Sequence, residues 1–286
     1  MNEEAIRHRI GGHFQRFIRT KGVFLAFHVV AISACCFSKV DAFACLLVWF
    51  AMQVGVHAGY HRYYSHASFK TYAWFEFALA CMGCLAFQNG PLLWASKHRL
   101  HHRNADTEDD LHSPAHGFWN AHMGWLWRDH IDEIDWKLIP DLAKGIPWWI
   151  ERYQQFIHVV YVAFVCLAFG PSGLLSFWVT PIVLCWHTTF ATNSVGHLFG
   201  PRPFKCVPQS SCLARNNALL AVANLGEGWH NNHHSDPSCC HHGFYRWFQI
   251  DIIYMLLWIL ARVRVVWDLK GRRWTANVNP SEEIGK

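Results

Sequence analysis

Three short stretches of the chain, "HRYYSH" at 61–66, "HRLHH" at 98–102 and "HNNHH" at 230–234, hold eight of its 21 histidines. His98, His101 and His102 stand at i, i+3 and i+4, as do His230, His233 and His234, a spacing that predicts three imidazoles on one face of a helix. His61 and His66 are five apart, beyond one face of an α-helix, which suits a helix end turning into a loop. "NSVGH" adds Asn193 and His197 at i and i+4. Neutral imidazole is the commonest transition-metal ligand, and one metal rarely takes more than four to six, so about nine histidines imply two metals. A single H-x-x-H-H has an expected chance count of roughly 0.1 at this histidine content, so two of them beside a third box are not an accident of composition.

The other histidines form no such box. His8, His13, His28, His122, His130, His158, His187, His241 and His242 read as surface or packed residues, and Pro114 between His112 and His116 argues against a shared helical face. His57 lies one turn before His61 and is expected to orient a ligand by hydrogen bonding rather than to bind metal itself.

The boxes must be held by something, and composition says what. The 286 residues are 52% apolar, 16% aromatic and only 16% charged, too apolar for an ordinary soluble domain of this size. Apolar runs at 22–37, 42–60, 156–170 and 174–196 each approach the roughly 20 residues that cross a bilayer core. The links "SKVD" and "GPSG" are so short that the runs pair into two hairpins, 22–60 and 156–196. The expected architecture is therefore an all-α membrane protein of four transmembrane helices, forming one domain over 1–286, with a cap built from 61–155 and 197–286. Arg7, Arg9, Arg16, Arg19 and Lys21 precede the first run, Arg152 the third, and Arg202 and Lys205 follow the fourth, against only Lys39 in the turns; both termini and the boxes are expected on the cytoplasmic side. The run at 73–94 is interrupted by Glu76, Gln88, Asn89, Gly90 and Pro91 and reads as interfacial or re-entrant, and 244–267 as a basic amphipathic helix on the membrane surface.

Several classes of function are disfavoured. The net charge of +5 comes without a basic stripe interleaved with aromatics, so nucleic acid is not an expected partner. A membrane cytochrome places paired histidines mid-span, whereas these boxes sit at span ends. A histidine-rich membrane metal transporter remains as an alternative, but needs ionisable ligands along a path inside the spans. The H-E-x-x-H of zinc hydrolases is absent. The 11 cysteines fit a reduced compartment, with no spacing that suggests a disulfide framework and one isolated C-x-x-C at Cys81 and Cys84.

"GYHRYYSH", "KHRLHHRNADTEDDLHSP" and "GEGWHNNHH", ordered around two hairpins with "NSVGH" after the fourth, resemble the membrane fatty acyl desaturases of the acyl-CoA and acyl-lipid Δ9 group. The resemblance covers about residues 45–245. It implies a di-iron (Fe2+) centre in the cytoplasmic cap that uses O2 and two electrons to place a cis double bond in a saturated acyl chain. By match, His61, His66, His98, His101, His102, His197, His230, His233 and His234 would be the iron ligands, with Asn193 holding a metal-bound water. Imidazole alone does not distinguish iron from zinc, and a di-iron acyl or lipid hydroxylase of the same superfamily remains an alternative. Ser96 and Lys97 stand where acyl-CoA members resemble one another in placing an arginine and an acid, and Arg128 is followed by Asp129; both departures favour an acyl-lipid over an acyl-CoA substrate. No fused electron-transfer pattern is visible, so a separate donor of ferredoxin or cytochrome b5 type is expected. Trp49, Gln53, His57 and His61 recur every four residues down the second run, a stripe in which Trp49 and Gln53 would wall the acyl tunnel.

Overall fold

The computed structural model describes residues 21–37, 39–128, 132–207 and 211–272. Arg7, Arg9, Arg16, Arg19, His8, His13, His130 and Asp129 lie outside them. The described chain is mostly helical. Its described residues fall into two compact units, one within 21–60, 76–97 and 132–187 and one within 61–75, 98–128 and 188–272.

In the first unit, α1 (Lys21–Cys36) and α2 (Ala42–Val54) occupy the first expected hairpin. Asp41 starts α2, its Oδ1 accepting from the Ala44 N–H at 3.0 Å, as an N-cap aspartate does. Beyond Val54 the helix does not stop but widens into a π-helix, Gly55–Ser65, which continues into the second unit. At its start a Cβ on Gly55 would lie 2.0 Å from the backbone nitrogen of Gly83, so only glycine allows the two segments to pass this closely. Gly83 sits in α3 (Ala73–Leu85), which ends in an irregular segment with Phe87 and Asn89 at positive φ (57° and 77°). Trp186 Nε1 donates to the Phe87 carbonyl at 3.2 Å, and the Tyr60 hydroxyl to that of Asn89 at 3.2 Å. This is the interruption expected at 88–91. Pro91 then opens α4 (Pro91–Asn104), and the buried Glu151 side chain accepts from the Leu92 and Leu93 N–H groups at 2.8 and 3.2 Å, satisfying donors that a helix start leaves open.

The second hairpin is longer than its apolar run. After the short α5 (Phe118–His122) of the second unit, α6 spans Ile146–Phe169, starting ten residues before the expected 156 with Pro147 in its first turn and ending at Gly170 (φ 73°). A short π-turn, Leu175–Val179, leads into α7 (Thr180–Leu198). Helices thus occupy all four expected stretches. Two of them, Ala42–Ser65 and Ile146–Phe169, each 24 residues, are long and apolar enough to cross a membrane.

The second unit is assembled from short pieces: the ends of the π-helix, α4 and α7, then α8 (Ala218–Ala223), α9 (His230–Ser235) and α10 (Ile252–Arg262). β1 (Lys70–Thr71) pairs antiparallel with β2 (Val266–Trp267). Asp251 caps α10, accepting from the Tyr254 N–H at 2.9 Å. This helix buries Ile253 and Leu257 inward and leaves Met255, Trp258 and Ile259 exposed, so it is apolar on both sides, but it covers only part of the expected 244–267.

Candidate metal centre

All nine box histidines fall in the second unit, and they sort into two groups: His61, His66, His98, His102 and His233 in one, His101, His197, His230 and His234 in the other. Within the first, Nε2 atoms approach in a chain, His61 to His233 at 3.0 Å, His233 to His102 at 2.9 Å, His102 to His98 at 3.1 Å and His98 to His66 at 2.8 Å. Within the second, His101 meets His234 at 3.4 Å, His234 meets His230 at 3.1 Å and His230 meets His197 at 3.0 Å. These spacings are also those of nitrogens that share a cation. Two nitrogens bound at about 2.1 Å to one metal lie about 3.0 Å apart at a right angle and about 3.4 Å apart at a tetrahedral one.

Each H-x-x-H-H box divides between the groups. On α4 the pair one turn apart, His98 and His102, joins the five-histidine group and His101 the other; on α9 the pair His230 and His234 joins the four-histidine group and His233 the five. The two boxes therefore exchange roles, and the rings of His102 and His234 stack with centroids 4.3 Å apart. Three imidazoles on one helix face need not share one centre: the i+3 residue is rotated about 60° from residue i around the helix axis, enough to reach a second group.

His61 and His66 differ from expectation in part. The helix does end here, at Ser65, with His66 in the turn that follows, but the two rings still share a face. The π-helix closes hydrogen bonds over five residues rather than four, and the His66 N–H donates to the His61 carbonyl at 3.2 Å, so a five-residue spacing puts both rings on one face.

The opposite nitrogens explain the aim of the rings. His61 Nδ1 donates to Glu227 Oε2 at 2.8 Å, His101 Nδ1 to Asp110 Oδ2 at 2.9 Å and His197 Nδ1 to Asp106 Oδ2 at 2.8 Å. A hydrogen held on Nδ1 leaves the Nε2 lone pair bare and directed into its group. Glu227 is fixed in turn by Arg62, which is fully buried between it (Nη2 to Oε1, 2.8 Å) and Asp251 (3.0 Å). Arg99, inside the second box, donates to the carbonyls of Tyr64 and Ser65 at 2.7 and 2.9 Å, tying α4 to the end of the π-helix. None of these partners stood out from spacing. The available signal was the acids inside the motifs themselves, "NADTEDD" after one box and "GEG" before another, which buried imidazoles require as acceptors.

Burial pushes the pKa of His66, His98, His102, His230, His233 and His234 well below its ordinary value, and neighbouring imidazoles push the same way, so these rings are neutral and able to bind metal. For His101 burial acts the same way, but the Asp110 carboxylate outweighs it and raises the pKa. Burial opposes ionisation of Asp110 too; His101 and His112 beside it nevertheless hold its carboxyl far below the usual range. His112 and His242 are buried against the groups, with rings 4.4 Å from His101 and 4.5 Å from His233; although neither stands in a box, His112 clusters with His101 and Asp110, and His242 with His61 and Glu227, donor atoms lying within 4.8 Å of one another.

Asn193 is half-buried on α7, one turn before His197. His57, Trp49 and Gln53 belong to the first unit. Trp49 and Gln53 lie on α2, Gln53 fully buried with its Oε1 accepting from the Cys185 thiol at 3.1 Å, while His57 lies in the π-helix, where a four-residue repeat no longer follows one face. One cysteine expectation is overturned: Cys206 and Cys212 form a disulfide, a pair that six residues of separation did not flag.

The chain is similar to known proteins over most of its length. The model of the fatty acid desaturase family matches residues 40–256. The chain is 33% identical over 245 residues to an sn-2 palmitoyl-lipid 9-desaturase of Nostoc sp. (strain 36), covering 83% of this chain and 84% of the other. It is 32% identical over 256 residues to an sn-1 stearoyl-lipid 9-desaturase of Anabaena variabilis (86% and 91%), and 33% identical over 269 residues to an icosanoyl-CoA 5-desaturase of Limnanthes douglasii (89% and 72%).

Proposed function

Because the chain belongs to the fatty acid desaturase family, and is thereby an oxidoreductase acting on lipid, we propose that it introduces a cis double bond at the Δ9 position of a saturated chain carried on an acyl lipid. The observation that carries this reading is the pair of converging imidazole groups, one of five nitrogens and one of four. We assign His61, His66, His98, His102 and His233 to one iron and His101, His197, His230 and His234 to the other, with Asn193 holding a water on the smaller set. Iron bound there would supply the oxidising power, drawn from O2 and two electrons, that removes two hydrogens from an unactivated methylene pair. The protein's own part is to hold nine imidazole donors in place. Glu227, Asp110 and Asp106 keep hydrogens on the outer nitrogens, and the buried rings exclude water that would otherwise quench the oxidant.

Two features support the choice of Δ9 and of carrier. Relatives named as lipid 9-desaturases match over most of both chains. Ser96, at the position where an acyl-CoA enzyme is expected to meet its head group, is buried, its Oγ accepting from the Asp135 N–H at 2.9 Å, and so is not offered to a ligand. The enzyme is read as one domain with four spans, both termini and the metal centre on the cytoplasmic side, supplied with electrons by a separate protein of ferredoxin or cytochrome b5 type. Trp49 and Gln53 are assigned to the wall of the acyl tunnel.

The test is expression, with a functional donor, in a host lacking unsaturated fatty acids, followed by mass spectrometry of the lipids. A new cis-Δ9 monoene on intact glycerolipid is expected, and Trp49→Ala shifts the product towards longer chains at unchanged iron content. Hydroxylated chains in place of a monoene would move the assignment to the hydroxylase alternative, and unchanged lipids would reject the reading.

A further inference from the structure

We propose that Cys206 and Cys212 are a reversible dithiol–disulfide pair that sets how tightly the four-histidine group holds its metal, acting through the tautomer of His234; this rests on the ligand assignment above. Cys212 is fully buried, and its Sγ lies 3.3 Å from His234 Nδ1. The far nitrogen of the same ring, Nε2, is the one that meets His101 and His230 at 3.4 and 3.1 Å. The sulfur thus occupies for His234 the place that Asp110 and Asp106 occupy for His101 and His197. It is also fastened there. The Val207 N–H donates to the His234 carbonyl at 2.8 Å, the Ser211 hydroxyl to the Ala105 carbonyl at 2.9 Å, the Leu213 N–H to Asp106 Oδ2, and Arg202 Nη2 to the Cys212 carbonyl.

A carboxylate carries no hydrogen at neutral pH and can only accept. A disulfide sulfur is the same in this respect: it accepts from Nδ1–H, so His234 keeps its one hydrogen on Nδ1 and presents a bare Nε2 to the metal. Reduction changes the sign of the contact. Cys212 then carries an S–H that can donate to Nδ1, and the imidazole hydrogen moves to Nε2, where it competes with metal. Loss of such an orienting partner costs about 10- to 100-fold in metal affinity at other sites.

The covalent step is ordinary thiol exchange. Cys206 is the more accessible of the two, half-buried against the fully buried Cys212. A thiol R–SH attacks the Cys206 sulfur, the Cys206–Cys212 bond breaks, and Cys212 leaves with the bonding pair and takes the proton. A second R–SH displaces R–S–S–R and leaves Cys206–SH. In the other direction hydrogen peroxide, a product of incomplete O2 reduction, takes two electrons and two hydrogens from the dithiol, giving the disulfide and two waters. On the cytoplasmic face assigned to this centre, a disulfide is the kind that forms and is reduced in use rather than a permanent staple.

The experiment is titration of metal-free, detergent-solubilised protein with Co2+ alone, in the disulfide form and in the form reduced and freed of reductant, with thiols counted by alkylation and mass spectrometry. Two equivalents are expected in both forms, one with unchanged affinity and one bound about tenfold more weakly after reduction. Cys206→Ser, which leaves Cys212 as a thiol, should match the reduced form whether or not reductant is added, and Cys212→Ala should lose the dependence. The unchanged equivalent reports that each variant is folded. Two equivalents of equal affinity in both forms would overturn the inference. So would a third equivalent in the reduced form with sulfur-to-cobalt charge-transfer bands, since the sulfurs would then be ligands themselves. Absence of any bound Co2+ in the disulfide form would instead reject the ligand assignment.

Discussion

An imidazole has two nitrogens and one hydrogen, so whatever holds Nδ1 decides what Nε2 can do. In this protein the holders differ by group: Glu227 serves the five-histidine group through His61, and Asp110 serves the four-histidine group through His101. The two carboxylates should therefore be separable. Asp110→Asn keeps an acceptor oxygen but removes the charge, and is expected to weaken metal at the four-histidine group about 10- to 100-fold while leaving the other group intact. Glu227→Gln should do the converse, with a larger structural penalty because Arg62 is left buried with one of its two carboxylates gone. Iron per chain measured at limiting free iron, with the metal spectrum to say which site empties, distinguishes them; equal loss from both sites in either variant would contradict the grouping.

At the scale of elements, the widened helix at Gly55–Ser65 decides which residues share a face. An α-helix would place residue 65 beside His61, whereas the π-helix places residue 66 there, as the His66 N–H to His61 carbonyl bond shows. Moving the histidine by one, in the double variant Ser65→His/His66→Ser, should empty the five-histidine group as completely as His66→Ala, with turnover down by at least about 100-fold, the upper end for losing a mere orienting partner. Retained metal and activity in the moved variant would show that the segment winds as an ordinary α-helix in the working protein. The division of each H-x-x-H-H between two centres is likewise a property of the elements: α4 and α9 face one another with opposite assignments, so neither helix could be replaced by a copy of the other.

For the molecule as a whole, the buried neutral histidines predict how it meets acid. His66, His98, His102, His230, His233 and His234 have pKa values lowered well below the ordinary value of about 6.5. Between those lowered values and about 6.5 the unfolded chain binds protons that the folded chain does not, so stability rises with pH across this window and is lost as pH falls below it. His101, whose pKa is raised, contributes in the opposite sense, losing its stabilisation as pH rises through the raised value, but it is one ring against six. Asp110 and Asp106, both held below their usual range, add a further loss at still lower pH. Metal-free protein in detergent should therefore show a Tm that falls steadily from pH 7 to pH 5, and loaded protein should release metal over the same range as protons compete for Nε2. A Tm that is flat over that interval would mean that the rings are not held neutral.

The histidines themselves, their arrangement in boxes, the apolar runs that carry them and the implication of two metals were all legible in the sequence, because ligand type and residue spacing are local properties. Helices occupy every apolar run from which a span was expected. Tertiary structure alone decided how nine imidazoles divide into five and four, since i, i+3 and i+4 place three rings on a face without saying which neighbour each will meet. It also decided that His61 and His66 align, because their spacing does not say whether the helix closes its hydrogen bonds over four residues or five, and that Gly55 passes within reach of the Gly83 backbone, a contact between residues 28 apart in the chain. The carboxylates behind the ligands and the sulfur of Cys212 behind His234 stayed hidden for the same reason: Asp110 is nine residues from His101, Asp106 is 91 from His197 and Cys212 is 22 from His234. A hydrogen bond across such separations is fixed by where the folded chain returns to itself, and a one-dimensional spacing carries no record of that.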